Sequence, residues 1–578
     1  MGGVAAGLLI AVSLPPFGWW PAAIAGMAGF ALLLRAGAAV GAGTPPEGAS
    51  APGAPSAPGP HGPRHRARAR AAIGAAVGFG QYAVGLWWVN EFNVAGYVAL
   101  VLHGMACAAL VAALVPVRRR FGVLLGLPAA LVVGDWIRGH YPLQGLPIGG
   151  IALGQVGGPL APAARLGGTL LVAGLTALAG AGVAELAVAA SAARRRGTSG
   201  PRGTSGPPAR TLAGKGLAAL VLVVAVVVAG RLGPDGAGPG RRPTLRVGLV
   251  QGGGPRGLRS VDVDPDVVFQ RQVDATGALP ARLDLVLWPE DVISVDGPVQ
   301  QSRQGAVTSG LASYLGSTVV AGVVEDVGTD RFRNAAVAWA PDGEIVARYD
   351  KVHRVPFGEY VPGRGLLEHL VNLRLVPRDV IAGRGPGVLV TPAGTFGVTI
   401  SYEVFFEDRA RAAIRAGGQV LLVPTNAASY TTSQIPTQEV AAARLRAWET
   451  GRDTLQASPT GYSAVIDHDG RVRARTDLGR RQVLTAIVEQ RSGETVFVRF
   501  GDLPLVAASV AGLLLSVVRL GGARRPGRPG RRARTTSIPR HDLTSCVSES
   551  AHSGDRGPDA GPGTAPEGRS RGGAPSSP

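Results

Sequence analysis

Cysteine is almost missing from this 578-residue chain: Cys107 lies inside an apolar run and Cys546 near the C-terminal end. Two thiols so placed provide neither a disulfide framework nor a cysteine-based metal site. Aromatic residues are also few, at 5%. No basic patch is interleaved with them, so the excess of 58 Lys and Arg over 39 Asp and Glu does not read as a nucleic-acid-binding face. Charged residues of either sign make up only 17%. Gly252-Gly253-Gly254 is not followed by Gly-Lys-Ser/Thr, which excludes a phosphate-binding loop.

What fills the chain instead is apolar: 46% of residues, with a mean hydropathy of +0.20, the composition of a membrane protein. A bilayer span needs about 20 mostly apolar residues. Stretches of that kind fall near 2–14, 20–35, 71–89, 96–116, 121–137, 163–190, 213–231 and 503–519. The first is short and lacks a basic leading segment, which favours a clipped span over a signal peptide. Pro15-Pro16-Phe17-Gly18-Trp19-Trp20 after it reads as an interfacial turn with aromatic anchors, and Trp87-Trp88 as an aromatic belt.

Arginine clusters mark the inserts: His65-Arg66-Ala67-Arg68-Ala69-Arg70, Arg118-Arg119-Arg120, and Arg194-Arg195-Arg196 before a doubled Arg-Gly-Thr-Ser-Gly-Pro. With eight spans and an inside N-terminus, all three fall on the cytoplasmic side, as does the tail with Arg524, Arg525, Arg531 and Arg532, in agreement with the positive-inside rule. The expected plan is a helical domain over 1–231 with unstructured inserts near 36–70 and 193–210, an extracytoplasmic domain over 243–492, a last span at 503–519 and a disordered basic tail over 521–578. His103 and Asp135 are ionisable groups in or near spans and so candidates for function.

Segment 243–492 has a different texture. Short β-branched runs at 245–250, 283–288, 317–324, 397–400 and 420–423 alternate with helix-like stretches around 265–280, 302–315, 405–417 and 436–451. That rhythm predicts a layered α/β domain. Three apolar runs end in polar residues: Trp288-Pro289-Glu290, Tyr349-Asp350-Lys351 leading to Val355-Pro356-Phe357-Gly358-Glu359-Tyr360-Val361-Pro362, and Ile400-Ser401-Tyr402-Glu403. Singly, each could be a strand-end cap.

Together they resemble the nitrilase superfamily, and with spans on both sides they resemble its membrane-embedded apolipoprotein N-acyltransferase family. The opening Pro-Pro-Phe-Gly-Trp-Trp-Pro, Trp136-Ile137-Arg138-Gly139, Thr425-Asn426 and Arg446-Ala447-Trp448-Glu449-Thr450-Gly451-Arg452 extend the resemblance over nearly everything except the inserts and tail. It implies a multi-span α-helical membrane protein of about eight transmembrane helices carrying an inserted nitrilase-like α-β-β-α sandwich. It implies phospholipid-dependent N-acylation of the diacylglyceryl-cysteine of apolipoproteins at the plasma membrane, with phospholipid as acyl donor and no cofactor or metal. Glu290 matches the general base, Lys351 the charge-stabilising cation, Glu359 the second carboxylate, and Tyr402 and Glu403 the residues after the nucleophile. Catalytic roles are thus expected for Glu290, Lys351, Ser401, Glu359 and Glu403, and substrate contacts for Tyr402, Asn426 and Trp288.

The chain departs from the family at one position: Ser401 stands where the nucleophilic cysteine belongs. A thiol of pKa ~8.5 ionises readily beside a carboxylate and a lysine, whereas a serine needs a base such as Lys351 in neutral form or a perturbed Glu290. An acyl-serine ester is also less reactive toward an amine than a thioester. A Ser401–His353 dyad is an alternative; a non-catalytic homologue that binds lipoprotein or lipid, and a membrane-tethered amidase, are the competing functions. Cys107 lies in an expected span and is remote from this domain.

Overall fold

The structure is a computed structural model and describes residues 1–40, 63–117, 122–198, 208–240, 242–255, 263–367, 376–426 and 434–517. Arg118–Arg120, most of the two inserts and the tail after 521 lie outside the described residues. The N-terminal part consists of α1 (Gly2–Ser13), α2 (Trp20–Val40), α3 (Pro63–Gly85), the single turn α4 (Val89–Phe92), α5 (Val94–Leu114), α6 (Gly122–His140), α7 (Ala164–Thr198) and α8 (Ala209–Leu232). Of these, α2, α5, α6, α7 and α8 are long and apolar enough to cross a membrane; α1 is shorter. The chain is thus a membrane protein; five of the eight stretches expected above fall on these helices, and the other three fall on α1, α3 and a final α15 (Leu503–Val517), which do not reach that length and hydropathy.

Two inserts are shorter than expected. Helix α3 begins at Pro63, inside the expected 36–70 insert, and α7 continues through the arginines to Thr198. Arginine is a good helix former, so a basic run appended to an apolar one extends the helix; Arg70 further donates to the Ala112 and Ala113 carbonyls at the C-terminal end of α5 (3.3 and 2.9 Å). Close approach of α1 and α3 depends on small residues: a Cβ on Gly7 would lie 2.0 Å from the Val77 oxygen. Ion pairs among the helices join Arg35 to Glu185 and Arg138 to Asp135. His103 lies 3.7 Å from the Cys107 sulfur.

The α/β domain contributes β1 (Thr244–Gln251), α9 (Pro265–Thr276), β2 (Leu285–Leu287), β3 (Ile293–Asp296), α10 (Arg303–Leu315), β4 (Thr318–Val327), β5 (Arg331–Trp339), β6 (Ile345–Asp350), α11 (Arg364–Leu367), β7 (Asp379–Val380), β8 (Val388–Thr391), β9 (Gly394–Val398), α12 (Glu407–Arg415), β10 (Val420–Pro424), α13 (Gln434–Thr450), β11 (Thr454–Ala457), β12 (Ala464–Ile466), β13 (Val472–Arg475), β14 (Gln482–Glu489) and α14 (Val496–Phe500). One sheet runs β14-β1-β2-β4-β5-β6, with β3 on β4 and β7 on β5; the other runs β13-β12-β11-β10-β9-β8.

Side-chain alternation assigns each strand's two faces. In β2, Leu285 and Leu287 join the core between the sheets while Val286 faces α9 and α10 with Phe269 and Ala312. In β10, Val420 and Leu422 face the other sheet, whereas Leu421 and Val423 face α13. The layers are therefore α-β-β-α, as expected. The second helical layer does not end at water: Ala441, Ala443 and Leu445 of α13 belong to one continuous core with Ile10 and Leu14 of α1 and Ala173 of α7. Helix α13 is accordingly apolar or buried on every side, and it carries no amphipathic stripe.

Candidate active site

Glu290 follows β2, and its position depends on β4. Gly322 donates its backbone N–H to the Pro289 carbonyl at 3.0 Å, and a Cβ at Gly322 would sit 2.4 Å from the Glu290 Cα. Lys351 directly follows β6, anchored by its own N–H to the Asn334 carbonyl of β5 (2.8 Å). Its Nζ donates to Glu290 Oε1 at 2.9 Å and to Glu359 Oε1 at 2.7 Å. The Asn334 side-chain nitrogen bridges the same two oxygens at 2.8 and 3.3 Å. Glu359 Oε2 accepts from the Val355 N–H at 2.7 Å. Three residues separated in sequence thus meet in one buried cluster of two carboxylates and one ammonium.

Lys351 is 1% exposed. Burial pushes its pKa down, but the carboxylates of Glu290 and Glu359 outweigh that and raise it, so it stays cationic. That direction favours a fixed positive charge over a neutral base at Lys351. Burial pushes the Glu359 carboxyl up, against the pull of Lys351 and with the repulsion of Glu290.

Ser401 opens a one-turn helix over Ser401–Phe405, directly after β9, with φ +49°. Asp291 and Phe357, beside Glu290 and Glu359, also have positive φ, at +56° and +60°. A non-glycine residue in this region costs of order 1–3 kcal/mol and persists only where surrounding bonds over-determine it. Glu403 supplies such bonds: fully buried, it accepts from the N–H of Ile400 (2.9 Å), Val352 (2.8 Å) and His353 (3.0 Å) and from the Tyr349 hydroxyl (2.8 Å). It therefore ties the serine turn to the Lys351 segment.

The remaining expected site residues divide. The Tyr402 hydroxyl donates to the Gly145 carbonyl of the loop between α6 and α7 (3.2 Å), so the serine turn touches the helical part. Asn426 donates to Asp291 Oδ2 at 2.8 Å, next to Glu290. Trp288, expected as a substrate contact, is 0% exposed and packs edge-on against Phe269 (6.1 Å) in the core behind β2. His353 stacks on Phe406 at 4.1 Å with Nε2 3.8 Å from Asp408, which leads it away from a dyad with Ser401.

Three further polar residues join the site, of which only Thr425, in the Thr425-Asn426 pair, carries a signal in the sequence. Asn334 is one. The others are Thr425, whose hydroxyl lies 3.4 Å from Ser401 Oγ and 2.9 Å from Glu439 Oε2, and Glu439 itself on α13. Ser401 is linked through Thr425 to Glu439, whereas Glu290 and Glu359 are joined to each other through Lys351. A separate cavity lined by Trp136, Leu170, Phe405, Phe406 and Arg446 lies behind the serine turn and includes neither Ser401 nor Lys351.

Residues 246–496 match the carbon-nitrogen hydrolase family, and residues 61–182 match the apolipoprotein N-acyltransferase N-terminal domain. Apolipoprotein N-acyltransferase from Methylococcus capsulatus is 30% identical over 480 residues, covering 78% of this chain and 89% of that protein. The namesake from Mycolicibacterium smegmatis is 30% identical over 398 residues; the match covers 66% of each, just under two thirds of the relative's length. Among solved structures, Saccharomyces cerevisiae Nit3, of branch 10 of the nitrilase superfamily, aligns at 21% identity and a TM-score of 0.34, covering 49% of this chain and 97% of that one. Matched in both its helical and its α/β part, the chain belongs to the apolipoprotein N-acyltransferase family.

Proposed function

We propose that this protein N-acylates the diacylglyceryl-cysteine at the N-terminus of apolipoproteins, taking the acyl group from a membrane phospholipid through an acyl-enzyme on Ser401. The observation that carries this reading is the buried Glu290–Lys351–Glu359 cluster in a sandwich whose serine turn bonds to the α6–α7 loop. A site built against membrane-length helices meets donors and acceptors that never leave the bilayer. Phospholipid and lipoprotein both qualify; a soluble amide would not need the helices. The α/β domain is assigned to the outer face of the plasma membrane by the arginine-rich inserts, which favour the cytoplasmic side.

In this reading Ser401 Oγ attacks the ester carbonyl and the lysophospholipid leaves. The α-amine of the acceptor then attacks the acyl-serine and restores the hydroxyl. Lys351, held cationic, supplies the positive charge against which oxyanion character develops, and Glu290 takes part in proton transfer. Glu403 and Glu359 hold these groups in register. The test is mass spectrometry of the N-terminal peptide of a diacylglyceryl lipoprotein incubated with purified protein and phospholipid. Triacylation by the native protein that disappears in Ser401→Ala is expected. Triacylation only by Ser401→Cys would instead favour a scaffold that binds without turning over.

A further inference from the structure

A serine in a cysteine's place is a far weaker acid and needs a more strongly placed base than the cysteine does. Lys351 is held as a cation, and its carboxylate partners already accept from its ammonium. The bonded chain that does reach Ser401 runs the other way, into α13. Ser401 Oγ lies 3.4 Å from Thr425 Oγ1, which lies 2.9 Å from Glu439 Oε2. Thr425 is 0% exposed and Glu439 4%.

A hydroxyl carries one proton and two acceptor sites. Thr425 directs its proton to the nearer partner, the Glu439 carboxylate, and its free lone pair then faces Ser401. We propose that Thr425 and Glu439 form a proton relay that makes Ser401 nucleophilic in this chain. As Ser401 Oγ bonds to the acyl carbon, its proton passes to Thr425 Oγ1 and the Thr425 proton to Glu439 Oε2. When the ester C–O bond breaks, Glu439 returns its proton to Thr425 Oγ1, and the Thr425 proton passes directly to the departing alkoxide. The 3.4 Å link is at the long end and shortens when substrate closes the site, as catalytic hydrogen bonds do.

Glu439 is suited to this role. Burial pushes its pKa up to about 8, against the Thr425 bond; the facing charges are Glu290, which raises it further, and Lys351, which lowers it. A base poised there takes and returns a proton near neutral pH. Its ionised form is required, so Ser401 reactivity rises with pH through about 8.

The inference rests on the acyl-transfer reading only in taking Ser401 as the nucleophile, and its test uses a separate readout. Full-length protein in detergent is treated with a fluorophosphonate, and phosphonylation of the Ser401 peptide is timed by mass spectrometry across pH. Native Ser401 is expected to be labelled, faster as pH rises through about 8. Glu439→Gln and Thr425→Val each slow labelling by roughly 10²-fold, the ordinary contribution of a positioned base. Thr425→Ser, which keeps the hydroxyl, restores a rate close to native, which a merely structural role for Thr425 would not require. Labelling of Glu439→Gln and Thr425→Val at the native rate overturns the relay, as does a native Ser401 that is never labelled. A labelled Ser401 in a protein that N-acylates no lipoprotein removes the acyl-transfer reading and leaves the relay standing.

Discussion

Lys351 is the residue on which the site's electrostatics turn. Its single charge sits between Glu290 and Glu359, with side-chain exposures of 1%, 3% and 15% for the three. Removing one member of a buried pair leaves an uncompensated charge and costs about 3–5 kcal/mol. Lys351→Met is therefore expected to lower the thermal midpoint of the detergent-solubilised protein sharply and to abolish acyl transfer. Adding Glu359→Gln should recover part of the stability and none of the activity; equal melting of the single and double variants would refute this account. Glu290, Lys351 and Glu359 are legible in the sequence because each follows an apolar run or sits in a long motif. Asn334 and Glu439 are not, and Thr425 is legible only as part of the Thr425-Asn426 resemblance. Asn334 lies inside a strand, 44 residues from Glu290, and only the pairing of β4 with β5 brings the two together.

Among the elements, β4 does more than fill a sheet. Its Gly322 gives the Glu290 backbone a seat that any side chain would occupy, at 2.4 Å from Cα. Gly322→Ala must push the Glu290 turn away from Lys351, and a 1 Å misplacement can cost about 10²-fold in rate. A loss of that order, with the Ser401 labelling rate little changed, is the expected outcome; an unaffected transfer rate would show that the turn relaxes without consequence. The strands that periodicity reveals are the apolar ones, β1, β2, β4, β9 and β10, each close to its expected bounds. Strands β5 and β14 escape it. The first begins Arg331-Phe332-Arg333-Asn334, and the second is only partly covered, with Ile487 65% exposed. Helix α13 matches the helix-like stretch around 436–451, but its all-round burial has no periodic signature to read.

At the scale of the molecule, helices and sandwich are one folding unit. Gln434 and Gln438 of α13 donate to the Val84 and Gly85 carbonyls at the end of α3, each at 2.9 Å, and Trp88 donates its N–H back to Gln434 (3.1 Å). Thr169 of α7 donates to Glu449 at 2.7 Å. Residues 243–492 expressed alone are therefore expected to be insoluble or to expose apolar surface to a dye, since the outer face of α13 loses its partners. A monodisperse, cooperatively melting fragment would show that the shared core is dispensable.

The same shared core imposes a delay on biosynthesis. Gln438 bonds to the Pro15 carbonyl, a contact spanning 423 residues. At about 5–20 residues per second, a ribosome needs roughly 20–80 s to traverse that distance. Throughout that interval the inserted α1 and α3 must wait with their α13-facing side uncovered, and the chain completes its oldest helix almost last.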